Sequence, residues 1–231
     1  MERGRFDSVS LAGIAVFSAL ATLLAALSQF LGLNFPVLPY LQFDFGEIAI
    51  VMAFFMFGPM PAATSCFVEF VALLYFGQNV PIGPALKLFA LLSTVAGMWL
   101  GSAVAMRMKA AGVGKVVAFS GVVGSVVRAS VMTVPNYVYL LYLVSQYTLG
   151  GVEDTLKASF ALVGVTLSDA NALAWILGFT AVFNVIQLLI VVGLSYSVLR
   201  FPPVSNLRVG GRAPWFVSLT GGKARPQATA Q

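Results

Sequence analysis

Five polar side chains fall inside otherwise apolar stretches of this chain, and any chemistry has to be sought there first: Glu69, Arg128, Asn136, Asn184 and Gln187. A charged or amide group in such a stretch is costly unless it is paired or faces a polar cavity. Asn184 and Gln187 are three residues apart, so they share one helix face. Their amides both donate and accept hydrogen bonds, which suits the edge of a flat heterocycle that alternates carbonyls and ring nitrogens. Ordinary hydrogen bonding between helices explains the same spacing.

The other three polar residues extend this pattern. Asn136 follows Pro135 and is followed by Tyr137, Tyr139 and Tyr142, so an amide stands beside aromatic rings and could form a wall for a flat ring. Glu69 and Arg128 have opposite charges, and we expect them either to form an ion pair with each other or to pair with other groups.

Several reaction classes are excluded by residues that the chain lacks. It has no His and a single Cys, Cys66, so zinc sites, Cys-His nucleophiles and Ser-His-Asp triads cannot form. It has no GxxxxGK[ST] loop, so it cannot hydrolyse ATP by that route. We therefore expect no enzyme activity, no metal and no cofactor. A small membrane enzyme using Glu69 or Asp44 is the alternative from another class.

The composition identifies lipid as the solvent. Of the 231 residues, 59% are hydrophobic and 9% are charged, whereas about 25% are charged in an average soluble domain. A chain this short buries only about 70% of its unfolded surface, so the excess of apolar side chains could not be hidden from water. The net charge of +5 resides in short polar segments and the tail, which indicates membrane orientation rather than nucleic-acid binding.

The apolar stretches predict an all-α membrane protein with six transmembrane helices. Most of the 13 Lys and Arg residues fall on one side of these spans, which places both termini in the cytoplasm. Residues 1–200 form the transmembrane domain, and residues 201–231 a polar, mobile cytoplasmic tail. The predicted spans are 10–32, 45–57, 62–76, 86–106, 116–135 or to 147, and 172–199.

Two further features exceed what a bilayer requires. The segment NFPVLPYLQFDF at 34–45 is broken by two prolines yet is apolar and aromatic, so we expect it to fold over the outer mouth of the bundle or to lie in the membrane interface. In the first span, Ala15 and Ala19 are four residues apart and form part of a smooth face that another helix could approach closely.

These motifs together resemble a known family. The run YLQFDFGEI at 40–48, followed by FMFGP at 55–59, is similar to the S components, the substrate-binding subunits of energy-coupling factor (ECF) transporters. Within that group, VRASVMTVPNY at 127–137 resembles the fifth helix of the riboflavin-specific members. NVIQ at 184–187 resembles their sixth-helix Asn-x-x-Lys pair, with Gln in place of Lys.

The resemblance implies a membrane-embedded subunit that captures riboflavin with high affinity under the first outer loop. The implied partners are a transmembrane coupling subunit and two ATPase subunits, and Ala15 and Ala19 would form the docking face. The implied ligand-binding residues are Tyr40, Asp44, Asn136, Asn184 and Gln187. The Gln at 187 lacks the charge of the family's Lys, so another vitamin or flat heterocycle is the alternative ligand.

Overall fold

The described part of the chain is helical. The computed structural model describes residues 7–109, 112–146, 151–166, 168, 171–201, 211 and 213–219. Within these residues there is no β-strand, only an isolated bridge between Asn34 and Gln42. The all-α prediction is therefore confirmed. The helices are α1 Ser8–Leu31, α2 Gly46–Phe57, α3 Pro59–Phe76, α4 Ile82–Arg107, α5 Val113–Gln146, α6 Gly151–Ala161, α7 Ala172–Arg200 and α8 Trp215–Leu219.

Five of these helices are long and apolar enough to cross a membrane: α1, α3, α4, α5 and α7. Helix α2 has 12 residues, or about 18 Å of length, which is short of the roughly 30 Å bilayer core. The six-span count thus stays a prediction. Helix α5 continues through Pro135 to Gln146, and α6 is a separate short helix that the sequence patterns did not predict.

Helix α2 occupies the middle of the bundle, which explains why a short helix can be almost wholly apolar. Its side chains Ile50, Phe54 and Phe55 are at most 2% exposed and belong to the main core, together with Leu91 of α4 and Leu188 of α7. The turn from α2 to α3 needs Gly58, whose φ of 96° is unfavourable for other residues. Pro59 then begins α3 with its φ already fixed for a helix.

Helices α4 and α5 pack closely because small residues face each other. A Cβ atom added to Gly97 would lie 2.8 Å from the Cα of Gly124. Ser102 and Ser120 meet across the same interface with their hydroxyls 2.8 Å apart. Close approach through small residues is typical of membrane helices, where packing rather than hydrophobic burial drives association.

We name residues 33–45 the outer segment and its end of the bundle the outer end, after the charge-based prediction. The segment folds back on itself, with Phe35 N donating to Leu41 O (2.7 Å) and Phe43 N to Leu33 O (2.8 Å). Its apolar side chains Val37 and Leu38 are buried against α6 and α7. The expected folding of an apolar outer loop over the bundle is therefore confirmed.

The predicted tail contains a docked helix. The Trp215 ring of α8 lies 5.1 Å from that of Phe54, and the Phe216 ring lies 5.6 Å from that of Phe55. These residues differ from the polar, mobile segment expected, because two adjacent aromatic side chains bury their rings against the end of α2 opposite the outer segment. The extent of the two predicted domains otherwise stays a prediction.

Candidate ligand-binding site

A cavity of about 180 Å³ lies at the outer end, between the outer segment and the helices. Helices α1, α2, α3, α4, α5 and α7 all contribute to its lining. The site is therefore assembled from residues far apart in the sequence. Its polar and aromatic lining includes Gln29, Tyr40, Gln42, Asp44, Glu47, Lys87, Arg128, Asn136, Tyr139, Phe183 and Asn184.

The structure brings four of the five predicted ligand-binding residues together around this cavity: Tyr40, Asp44, Asn136 and Asn184. It does not bring Gln187 there. The Gln187 side chain is buried and donates from Nε2 to the backbone oxygen of Asp44 at 2.8 Å. Gln187 therefore tethers the end of the outer segment to α7 rather than facing the cavity.

Arg128 of α5 forms a buried network at the wall of the cavity, and it is only 3% exposed. Its Nη1 and Nη2 atoms donate to the two carboxylate oxygens of Glu47, at 2.5 and 2.8 Å. Its Nε donates to Asn184 Oδ1 at 2.9 Å, and Nη1 also reaches Thr94 Oγ1 at 3.2 Å. The planar guanidinium matches a carboxylate in this two-bonded geometry better than any other cation does.

The expected ion pair between Glu69 and Arg128 is therefore wrong, and the alternative that each pairs elsewhere is confirmed. Glu69 of α3 is fully buried and lies 2.6 Å from Lys87 Nζ of α4. The same ammonium contacts the carboxylate of Asp44. Because Asp44 belongs to the outer segment, the group ties this segment to α3 and α4. We name Lys87, Asp44 and Glu69 the lysine clamp.

Three residues of these networks were not predicted from the sequence: Glu47, Lys87 and Thr94. Glu47 is in the first turn of α2 and Lys87 is near the start of α4, so both stood at the outer ends of predicted spans, where a charge can be exposed to water. A signal was available, since a carboxylate in the first turn of a helix is favoured by the helix dipole even when buried. Each carboxylate that is buried also needs a cation nearby, which is a reason to look for one among the Lys and Arg residues at the span ends.

The two asparagines are held by their own helices. Asn136 Nδ2 donates to Met132 O at 2.7 Å, and Asn184 Nδ2 donates to Thr180 O at 2.9 Å. Both side chains are at most 4% exposed. Fixed polar groups in a small cavity can orient a ligand at little entropic cost.

Aromatic rings form the rest of the wall. The Tyr40 ring lies 5.9 Å from the Tyr139 ring, and Phe183 lies 5.1 Å from Phe43 of the outer segment. Burial raises the pKa of the Tyr40 hydroxyl above its ordinary value, so this group is neutral at physiological pH and can both donate and accept a hydrogen bond.

The predicted docking residues lie apart from this site. Ala15 and Ala19 are exposed on α1, whereas Ala21 and Ala25 of the same helix are buried against the bundle. The face that carries Ala15 and Ala19 is thus available to another helix.

No protein-family profile and no curated protein sequence matches this chain. Its fold is similar to that of a solved structure described as "Structure and mechanism of the S component of a bacterial ECF transporter". The TM-score is 0.58, the sequence identity is 20%, and the match covers 86% of this chain and 98% of that chain.

The spanning helices and this likeness define a class: the chain is a multi-pass, all-α membrane protein. More particularly, it has the fold of an S component of an ECF transporter. An identity of 20% establishes the fold alone, since one fold can host unrelated functions.

Proposed function

We propose that the chain is the membrane-embedded substrate-binding subunit of an ECF-type vitamin uptake system, and that its ligand is riboflavin. The observation that carries this proposal is the cavity under the outer segment, where amides from α5 and α7 meet aromatic rings. The S-component fold supports it. The protein binds and releases its ligand without changing it.

The cavity chemistry suits a flat, neutral ring system. Tyr40, Tyr139 and Phe183 offer apolar faces, and Asn136 and Asn184 offer hydrogen bonds to a polar ring edge. Aromatic faces combined with fixed polar groups are typical of small-molecule sites. The isoalloxazine ring of riboflavin combines a broad planar body with one edge of carbonyls and a ring N–H.

The enzyme alternative requires a free carboxylate at Asp44 or Glu69. Both carboxylates contact Lys87, and Asp44 also accepts a hydrogen bond from Gly46 N at 2.7 Å. A carboxylate held in an ion pair must break that contact before it can take a proton from a substrate, so neither is placed as a general base. We therefore propose no catalytic step at these residues.

Energy for uptake would come from partner subunits. In this proposal a transmembrane coupling subunit docks on the α1 face with Ala15 and Ala19, and two ATPase subunits drive it. Exposed alanines four residues apart support close helix approach at that face.

A second ligand class is favoured by one observation. Gln187 occupies the position of the Lys in the resembled family, and its amide is used on Asp44 O rather than in the cavity. Another vitamin or flat heterocycle is therefore the second candidate.

The test is direct binding by the purified protein. We expect a yellow preparation whose denaturation releases a flavin, and quenching of riboflavin fluorescence when the ligand-free protein is titrated. Native mass spectrometry of the bound molecule separates riboflavin from the second candidate. A colourless preparation that leaves riboflavin fluorescence unchanged would reject the flavin proposal.

A further inference from the structure

We propose that Arg128 is a positioning residue that fixes Asn184 as a hydrogen-bond donor toward the cavity, so that the ligand is a planar heterocycle with a lactam edge. A lactam edge is a ring carbonyl beside a ring N–H. This inference rests on the proposed binding function, and it adds which ligand groups the site accepts and which side chain imposes that choice.

The orientation of the Asn184 amide is fixed by two partners of opposite type. Its Oδ1 accepts from Arg128 Nε at 2.9 Å, and its Nδ2 donates to Thr180 O at 2.9 Å. Turning the amide over would set its NH₂ group against the guanidinium N–H and its carbonyl against the Thr180 carbonyl. One contact would then join two donors and the other two acceptors. Because Asn184 is only 3% exposed, water could not readily replace the lost partners.

One amide hydrogen of Asn184 is left for a ligand. The NH₂ group has two N–H bonds, and Thr180 takes one of them. Asn184 lines the cavity, so the remaining N–H can be donated to a ligand there. A ring carbonyl is an acceptor that would take this hydrogen bond.

Asn136 supplies the opposite polarity. Its Nδ2 donates to Met132 O at 2.7 Å, and no residue in the described part of the chain donates to its Oδ1. Asn136 also lines the cavity. Its carbonyl can accept from a ligand N–H and its second N–H can donate. The α5 wall therefore accommodates a ligand N–H beside the carbonyl that the α7 wall favours, where Asn184 Oδ1 is bound to Arg128.

Arg128 itself cannot be released to the ligand at low cost. Glu47 binds two of its terminal N–H groups, and Thr94 binds a third. The guanidinium is bound to a buried carboxylate on one side and to Asn184 on the other, so it affects the ligand by holding the Asn184 amide. Its role is to set the direction of that amide.

The experiment uses the intact chain in detergent with riboflavin as the probe. Two variants are compared with the wild type: Arg128→Lys, which keeps the charge but loses the Nε–H, and Asn184→Asp, which can still accept from Arg128 but cannot donate to the ligand. Ser102→Ala is the control, because it removes a buried hydroxyl of α4 that does not line the cavity. The readouts are the dissociation constant and the carbonyl-stretching bands of the bound flavin in infrared difference spectra.

We expect a flavin carbonyl band in the wild type at lower frequency than in either cavity variant, because a donated hydrogen bond weakens the C=O bond. Affinity should fall about tenfold or more in both variants, the effect of leaving one polar group unpaired. Ser102→Ala should leave the band unchanged. 3-Methylriboflavin, which lacks the ring N–H, should bind the wild type about tenfold more weakly than riboflavin does.

The outcomes separate the two proposals. Riboflavin bound with the same carbonyl bands in the wild type and both variants overturns the positioning role and leaves the binding function standing. If Arg128→Lys does not fold, the double variant Arg128→Gln with Glu47→Gln is measured in its place, because it also removes the Nε–H but leaves no unpaired buried carboxylate, and the same criterion applies. A wild type that binds no riboflavin overturns the flavin proposal. In that case the molecule that co-purifies decides the inference. A ligand with a lactam edge supports it, and a ligand without a carbonyl acceptor overturns it. If no molecule co-purifies either, both proposals are overturned.

Discussion

Replacing Lys87 by Met should destabilise the protein severely, because it removes the cation of the lysine clamp and leaves two carboxylates facing each other. Glu69 is fully buried, and Lys87 Nζ lies 2.6 Å from its Oε1. The side chain of Asp44 is only 18% exposed and contacts the same ammonium. Removing one partner of a buried ion pair costs about 3–5 kcal/mol, mostly through the charge left without compensation.

The magnitude follows from which carboxylate can be rehydrated. Asp44 retains some contact with water and also accepts a hydrogen bond from Gly46 N, whereas Glu69 has no exposed surface. Glu69 should therefore carry most of the penalty. The double variant Lys87→Met with Glu69→Gln removes that charge, and we expect it to recover more than half of the lost stability.

The assay is the unfolding free energy in mixed micelles, measured by SDS titration and followed by circular dichroism. Lys115→Met is the matched control, since it removes an exposed lysine of α5 and should change stability by less than about 0.5 kcal/mol. A Lys87→Met protein within about 1 kcal/mol of the wild type would refute the reasoning. So would a double variant no more stable than the single one.

Three further predictions concern other parts of the molecule. Ala15→Trp should abolish uptake in cells while leaving ligand affinity unchanged, whereas Val126→Trp, on the exposed face of another helix, should leave uptake intact; continued uptake by Ala15→Trp would show that the α1 face is not the docking surface. Gly97→Ala should lower thermal stability by about 1–3 kcal/mol, because its Cβ would lie 2.8 Å from the backbone of α5; unchanged melting would contradict the close packing. Gln187→Ala should cost about 1 kcal/mol of stability by removing the bond to Asp44 O without moving the carbonyl bands of a bound flavin, and a shifted band would mean that Gln187 does contact the ligand.

The spans were predictable because composition and length alone decide them. A run of about 20 apolar residues satisfies its backbone only as a helix in lipid, so α1, found at Ser8–Leu31, differs from the predicted 10–32 only at its ends. Those ends depend on local contacts. Asp7 caps α1 by accepting from Ser10 N at 2.9 Å, and this contact extends the helix beyond its apolar stretch.

The ion pairs were less predictable, because they depend on which helices are neighbours. Arg128 and Glu47 are 81 residues apart, and periodicity gives the face of each helix but not the helix opposite it. The expectation of a pair between Glu69 and Arg128 rested on their being the charges visible within the apolar stretches. The partners that the structure supplies, Lys87 and Glu47, were hidden by their positions near helix ends.

The separation of Asn184 from Gln187 shows how far spacing can carry a site prediction. Residues three apart on a helix differ by about 60° in direction and by about 4.5 Å along the axis. That difference is enough for the two amides to meet different neighbours at the edge of a cavity of about 180 Å³. Asn184 therefore meets Arg128 and the cavity, while Gln187 meets Asp44 O. The shared face was the right inference for the helix. For both amides to contact one ligand, Asp44 would have to lie away from Gln187. The lysine clamp on α3 and α4 instead holds Asp44 where its backbone oxygen takes the Gln187 amide.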